Sequence, residues 1–261
     1  MNPPLEPPPE QPPGLLASVR AVSREPEPER EGQRWGFGAF LLVEAVFILS
    51  AVFITALAST SGTDLSSSVS FVLVGSMVPT VLAAATAVVI TRVRGNGPLI
   101  DLRLGWDWAD VKVGLKLGLL GILLTVVAAT VWSRVVGTQN ATSAIGELVD
   151  GTALPLSAAV VMFVYVCFLG PVCEELIYRG LLWGAIERQG WSRWAAFLLS
   201  TLIFAASHLE PLRTSLLIII ALPIGIARLI TRRLTASVVA HVVNNFLPGL
   251  TLLLVATGVM S

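Results

Sequence analysis

From about residue 38 onward the chain alternates between long apolar stretches and short polar breaks. A helix that crosses a bilayer needs ~20 predominantly apolar residues, and these stretches have that length. They run from about Gly38 to Ala58, Ser70 to Val93, Val113 to Trp132, Leu154 to Glu174, Trp191 to His208 and Leu212 to Leu229. The last, Thr235 to Val259, is interrupted by Pro248-Gly249 and reads either as one span or as a span with a returning piece. The pattern predicts an all-α fold, a polytopic membrane helical bundle of about seven or eight transmembrane helices. No internal repeat breaks it, so residues 35–261 read as one membrane domain.

Residues 1–34 follow another rule. They hold six Glu, four Arg and nine of the sixteen prolines, with little to bury. That composition predicts a disordered, Pro/Glu-rich cytoplasmic tail, partly polyproline II. No apolar run follows the first residues, so the tail does not read as a secretory signal.

Composition narrows the class of function. Hydrophobic residues make up 54% of the chain and charged ones 13%, with mean hydropathy +0.79. A soluble domain is about 25% charged. An ordinary cytosolic enzyme and a secreted disulfide scaffold are therefore excluded. The 17 basic and 17 acidic residues balance, so no net field attracts a polyanion. The expected environment is the lipid bilayer, and nucleic acid is not an expected partner. Cys167 and Cys173 are the only cysteines; six residues apart, they fall on different sides of a helix and read as small core residues.

Basic residues fall in alternate breaks: Arg20 to Arg34, then Arg92 to Lys116, then Arg179, Arg188 and Arg193, then Arg228, Arg232 and Arg233. The intervening segments 59–69 and 134–153 hold only Arg134. This bias predicts a multi-pass protein of the cell membrane with a cytoplasmic N-terminus. Arginine outnumbers lysine fifteen to two in an Ala-, Val-, Gly- and Leu-rich chain, which points to a bacterial source. Trp106 and Trp108, among Asp101, Asp107 and Asp110, read as headgroup-level aromatics at a helix start.

Ionisable residues inside apolar segments are costly and default to a functional reading. Three places stand out. In Pro171-Val172-Cys173-Glu174-Glu175-Leu176-Ile177-Tyr178-Arg179-Gly180, Glu175 and Arg179 are four apart and can pair on one face. Glu174, about 100° round the helix, stays free to act as a general base. A helix end with interfacial charges is the plainer reading. His208 closes a long apolar run after Phe204 and reads alternatively as a loop histidine. His241 and Asn245 share a face, which interhelical packing would also explain. Glu44, inside the first span, either pairs with another helix or faces the same cavity. Converged, a carboxylate, two imidazoles and an amide could activate a water, or bind a divalent metal with a water, and donate to an oxyanion.

Glu174-Glu175-x-x-x-Arg179, Phe204-x-x-x-His208 and His241-x-x-x-Asn245, in this order, resemble the three motifs of the CPBP family. These are the CAAX-protease and bacteriocin-processing membrane enzymes, also called Abi proteins. The resemblance covers about residues 150–250. It implies an intramembrane endopeptidase acting on a peptide or membrane-protein segment. By motif, Glu174 would be the general base, His208 would help activate the water, and His241 and Asn245 would stabilise the oxyanion. Glu175 and Arg179 would hold the helix in place. The cofactor implied is either a divalent metal such as zinc, with Glu174, His208 and His241 as candidate ligands, or none. A non-catalytic immunity or scaffold protein of the same fold is the alternative.

Depth poses a problem. If the fourth span ends at Glu174, that residue lies at the cytoplasmic end of its helix, whereas His208 lies ~22 Å from Arg193. Gly170-Pro171 suggests a bend, after which residues 175–189 would run back into the protein.

Overall fold

The computed structural model describes residues 14–22, 31–60, 69–137 and 154–260. The regular elements among them are helices: α1 (Leu15–Arg20), α2 (Phe37–Thr60), α3 (Val69–Arg94), α4 (Pro98–Asp101), α5 (Trp108–Val136), α6 (Leu156–Arg188), α7 (Arg193–Ser207), α8 (Thr214–Thr231) and α9 (Leu234–Ala256). Six of these, α2, α3, α5, α6, α8 and α9, are long and apolar enough to cross a membrane. The 15-residue α7 is apolar but rises only ~22 Å, short of a ~30 Å hydrocarbon layer. The chain is thus a multi-pass membrane protein with six full spans and one shorter helix among the described residues. Pro248 sits inside α9 without ending it, so the last apolar stretch is one continuous helix.

The largest departure from the sequence pattern is α6. It does not bend back after Glu174 but continues to Arg188. Two π turns, Tyr165–Leu169 and Leu176–Leu182, flank the acidic pair. The first absorbs Pro171, whose ring would otherwise collide with the carbonyl one turn earlier. Arg179 therefore lies buried inside a span and does not report on loop orientation. The depth mismatch between Glu174 and His208 dissolves with it. Glu174 lies ~21 Å along the helix from Arg188, and His208 ~22 Å from Arg193.

The helix ends rich in arginine are tied together at one edge of the bundle. The Arg34 N–H donates to the Arg94 carbonyl at 2.8 Å, and the Leu234 N–H to that of Arg103 at 3.0 Å. Arg188 reaches the Trp35 carbonyl, and Arg193 the Leu229 carbonyl. Arg233 pairs with Asp107 and Asp110. The indole of Trp35 donates to Asp101 at 2.7 Å. Beneath this edge, Trp35, Leu102, Ile177, Leu181, Trp183 and Ile186 form part of the main apolar core.

Close approach of α5 to α9 depends on small residues. A Cβ on Gly114 would lie 2.6 Å from the Ala236 carbonyl oxygen, and one on Gly118 would lie 2.6 Å from the Val243 Cβ. Small-residue seams of this kind let membrane helices touch backbone to backbone. By contrast, α2 is 11% buried over its span, against 50% for α8, and turns Leu41, Leu49, Val52, Phe53 and Leu57 outward. Residues 1–13 and 23–30 of the expected disordered tail lie outside the described residues. Within the tail, α1 packs Leu15 against the cluster of Leu117, Ile224 and Ala240.

Candidate active site

The acidic pair on α6 is split by its surroundings. Glu175 is fully buried; its Oε1 accepts from Nη1 of Arg179 at 3.0 Å and faces Nδ1 of His241 at 3.0 Å. Arginine stays charged, so Glu175 stands as the anion of an ion pair. A carboxylate can only accept, which assigns the proton on that face of His241 to Nδ1. Nε2 of His241 then points toward Glu174, 3.6 Å from its Oε2. That is longer than a direct hydrogen bond and suits a bridging water. The Glu174 side chain is 26% exposed.

The short helix α7 brings in the other histidine. His208 is its C-cap, with Nδ1 2.8 Å from the Phe204 carbonyl. A carbonyl only accepts, so Nδ1 carries a proton, and in the neutral imidazole Nε2 is the acceptor. Phe204 is the hub. Its ring lies edge-on to His208 at 4.8 Å, to His241 at 5.7 Å and to Tyr178 at 5.4 Å. The Arg179 guanidinium sits 4.4 Å over the same ring, a cation–π contact strengthened by desolvation. The Tyr178 hydroxyl donates to Ser207 at 2.7 Å, locking α6 to the end of α7 beside His208. Glu44 of α2 lies beside the same hydroxyl.

The two asparagines of α9 diverge. Asn244 accepts from the Thr125 hydroxyl at 3.0 Å and faces α5. Asn245 turns to α6, where its Nδ2 donates to the Val166 carbonyl at 3.1 Å. Val166 lies in the first π turn, whose altered register frees carbonyls from the usual ladder. Glu174, Glu175, Arg179 and His241 are thus in one contact group. His208 joins it through Phe204, and Asn245 through the backbone of α6.

Residues 156–247 match a family model described as Type II CAAX prenyl endopeptidase Rce1-like. That model belongs to the CPBP/CAAX protease family, and the match covers about a third of the chain. No curated protein and no solved structure matches the chain. The CAAX-protease match begins at the first residue of α6 and contains Glu174, Glu175, Arg179, His208, His241 and Asn245.

A metal fits this donor set poorly. Glu175 is neutralised by Arg179 and joined to His241, and no group of three or more His, Cys, Asp or Glu converges as a cation site among the described residues. Sequence reasoning under-read Phe204, Tyr178 and Ser207. A signal existed for Tyr178, which is four residues after Glu174 and so on the same helix face. None existed for Ser207, whose partner comes from another helix.

Proposed function

We propose that the protein is an intramembrane endopeptidase of the CAAX type, hydrolysing a peptide bond in a peptide or membrane-associated substrate with water activated by Glu174. The observation that carries this reading is the division of labour between neighbouring carboxylates. Glu175 is closed off by Arg179 and His241, while Glu174 is partly open and faces the far nitrogen of the same imidazole. Adjacent titratable groups held in different environments supply both a base and a fixed electrostatic partner.

In this scheme a water between Glu174 and His241 gives its proton to Glu174 as its oxygen bonds to the substrate carbonyl carbon. His208 accepts from the same water through its bare Nε2. The tetrahedral oxyanion is met by His241 and by the second amide hydrogen of Asn245. Glu174 then passes its proton to the departing nitrogen as the C–N bond breaks and the C=O bond reforms, leaving a carboxylic acid and an amine. We assign the arginine-rich edge and the N-terminus to the cytoplasmic side of the cell membrane, a reading supported by the bias of Lys and Arg toward alternate breaks.

The test is cleavage of a membrane-anchored fluorogenic peptide by the full chain in liposomes. Glu174→Gln and His208→Ala should each lower kcat by at least ~10²-fold with an unchanged Tm. Equal activity in wild type and both variants would reject this mechanism, and no cleavage by wild type would favour a non-catalytic protein. Wild-type activity should survive a strong chelator; loss that zinc restores would replace this scheme with a metal-based one.

A further inference from the structure

At the edge where the N-terminal segment meets the ends of α2 and α3 there is a cavity of about 230 Å³, remote in sequence from the acidic pair. It is lined by Arg34, Arg94, Gly36, Gly38, Leu42 and Ile90, among others. Two cations thus sit above an apolar floor. The chain forces them together, because the Arg34 N–H donates to the Arg94 carbonyl at 2.8 Å. Both side chains are exposed. Arg34 uses Nη2 on the Val93 carbonyl at 3.4 Å. Neither guanidinium is ion-paired with a carboxylate among the described residues, although Asp101 is close by: Asp101 is engaged by Trp35 and Asn96.

We propose that this cleft is a binding site for an anionic glycerophospholipid. The phosphodiester would lie between Arg34 and Arg94, and one acyl chain would run down the groove over Ile90 and Leu42. Three observations carry this. Like charges held side by side repel, and a bound anion removes that repulsion. On the same arginine-tied edge of the bundle, an exposed Trp pair, Trp106 and Trp108, packs edge-on at 5.6 Å, as aromatics do at headgroup level. Below the cations the groove is apolar and Leu42 is 52% exposed, facing where acyl chains lie. Basic pockets between spans are suited to phosphate headgroups. Gly38 keeps the groove open: a Cβ there would meet nothing within 4 Å, so the space is real.

Native mass spectrometry of the full chain in neutral detergent, titrated with phosphatidylglycerol or phosphatidylcholine, tests the site. Wild type should hold one phosphatidylglycerol about thirtyfold more tightly than Arg34→Gln/Arg94→Gln does. Arg92→Gln, which removes a neighbouring exposed cation outside the cleft, should bind as wild type. Gly38→Leu keeps both arginines and fills the groove. It also replaces a helical glycine, which favours folding, and should lose the lipid as well. Inorganic phosphate at millimolar concentration should leave the lipid bound. The proposal is overturned if the double variant binds as wild type, or if Arg92→Gln weakens binding equally, which would mean diffuse charge. It is also overturned if Gly38→Leu has no effect, or if free phosphate displaces the lipid, which would mean a bare anion site. If the double variant does not fold, the Gly38→Leu and Arg92→Gln arms still decide.

Discussion

Two acid–arginine pairs with nearly equal separations do different work in this molecule. Glu175 and Arg179 meet at 3.0 Å with both side chains fully buried. Asp107 and Arg233 meet at 3.1 Å with both about half exposed. Water solvates the second pair whether or not it is formed, so its net contribution is small. The first pair has no such fallback: each ion in the apolar interior depends on the other. Distance therefore says little about importance here; the surroundings decide. The central pair also has neighbours that need it in place, since Glu175 orients His241 and Arg179 covers Phe204.

The sharpest way to break the contrast is Arg179→Met. It leaves a buried carboxylate without its cationic partner and should cost about 3–5 kcal/mol of stability. Unfolding in detergent followed by a tertiary-structure probe measures this. Glu175→Gln/Arg179→Met removes both charges and should recover most of the loss. A double variant as unstable as the single would show that packing on Phe204, not charge, is what Arg179 provides.

A second variant disturbs the centre without touching either ion. Gly118→Leu would thrust its side chain into α9, because even a Cβ would lie 2.6 Å from that of Val243 and 2.9 Å from the Ala240 carbonyl. Overpacking of this kind costs about 1–3 kcal/mol. His241 follows in the next position after Ala240, so displacement of α9 should also lower kcat beyond what the remaining folded fraction explains. Activity in proportion to folded protein alone would show that the acidic pair does not depend on how α5 seats α9.

These residues also show how much could be read beforehand. Periodicity and length located the six spanning helices of the described residues, because lipid requires long apolar runs, but also counted Trp191 to His208, where α7 is too short to cross. The spacing of Glu175 and Arg179 was enough to pair them, since four residues is one helical turn. The extent of α6 was not legible. Polar residues inside a span look like a span end until their partners are known, and His241 and Phe204 arrive from other helices. The π turns were equally hidden, because nothing local in Tyr165–Leu169 distinguishes a wide turn from an ordinary one. Gly114, Gly118 and Gly121 are small residues close to one face of α5, but the sequence does not say which helix they approach. Asn244 and Asn245 are adjacent, and only the placement of α5 and α6 separates their partners.

The smallest expected effect comes from the exposed pair and completes the comparison. Asp107 caps α5 by accepting from the Ala109 N–H at 2.9 Å. That bond first, and Arg233 second, hold its carboxyl below the usual carboxylate range. A group whose folded value is depressed adds stability that is complete above its unfolded value of about 3.9 and disappears as pH falls through the folded value. Wild type minus Asp107→Asn should thus give a small Tm difference that is constant at neutral pH and vanishes toward strongly acidic pH. Asparagine caps helices nearly as well as aspartate, so the difference isolates charge, and added salt should shrink it further. Glu175→Gln compared under the same salt series should not respond, since the bulk ions that screen Arg233 cannot reach Arg179. A salt response at the buried pair as large as at Asp107 would mean that water enters the centre, and the contrast between the two pairs would fall.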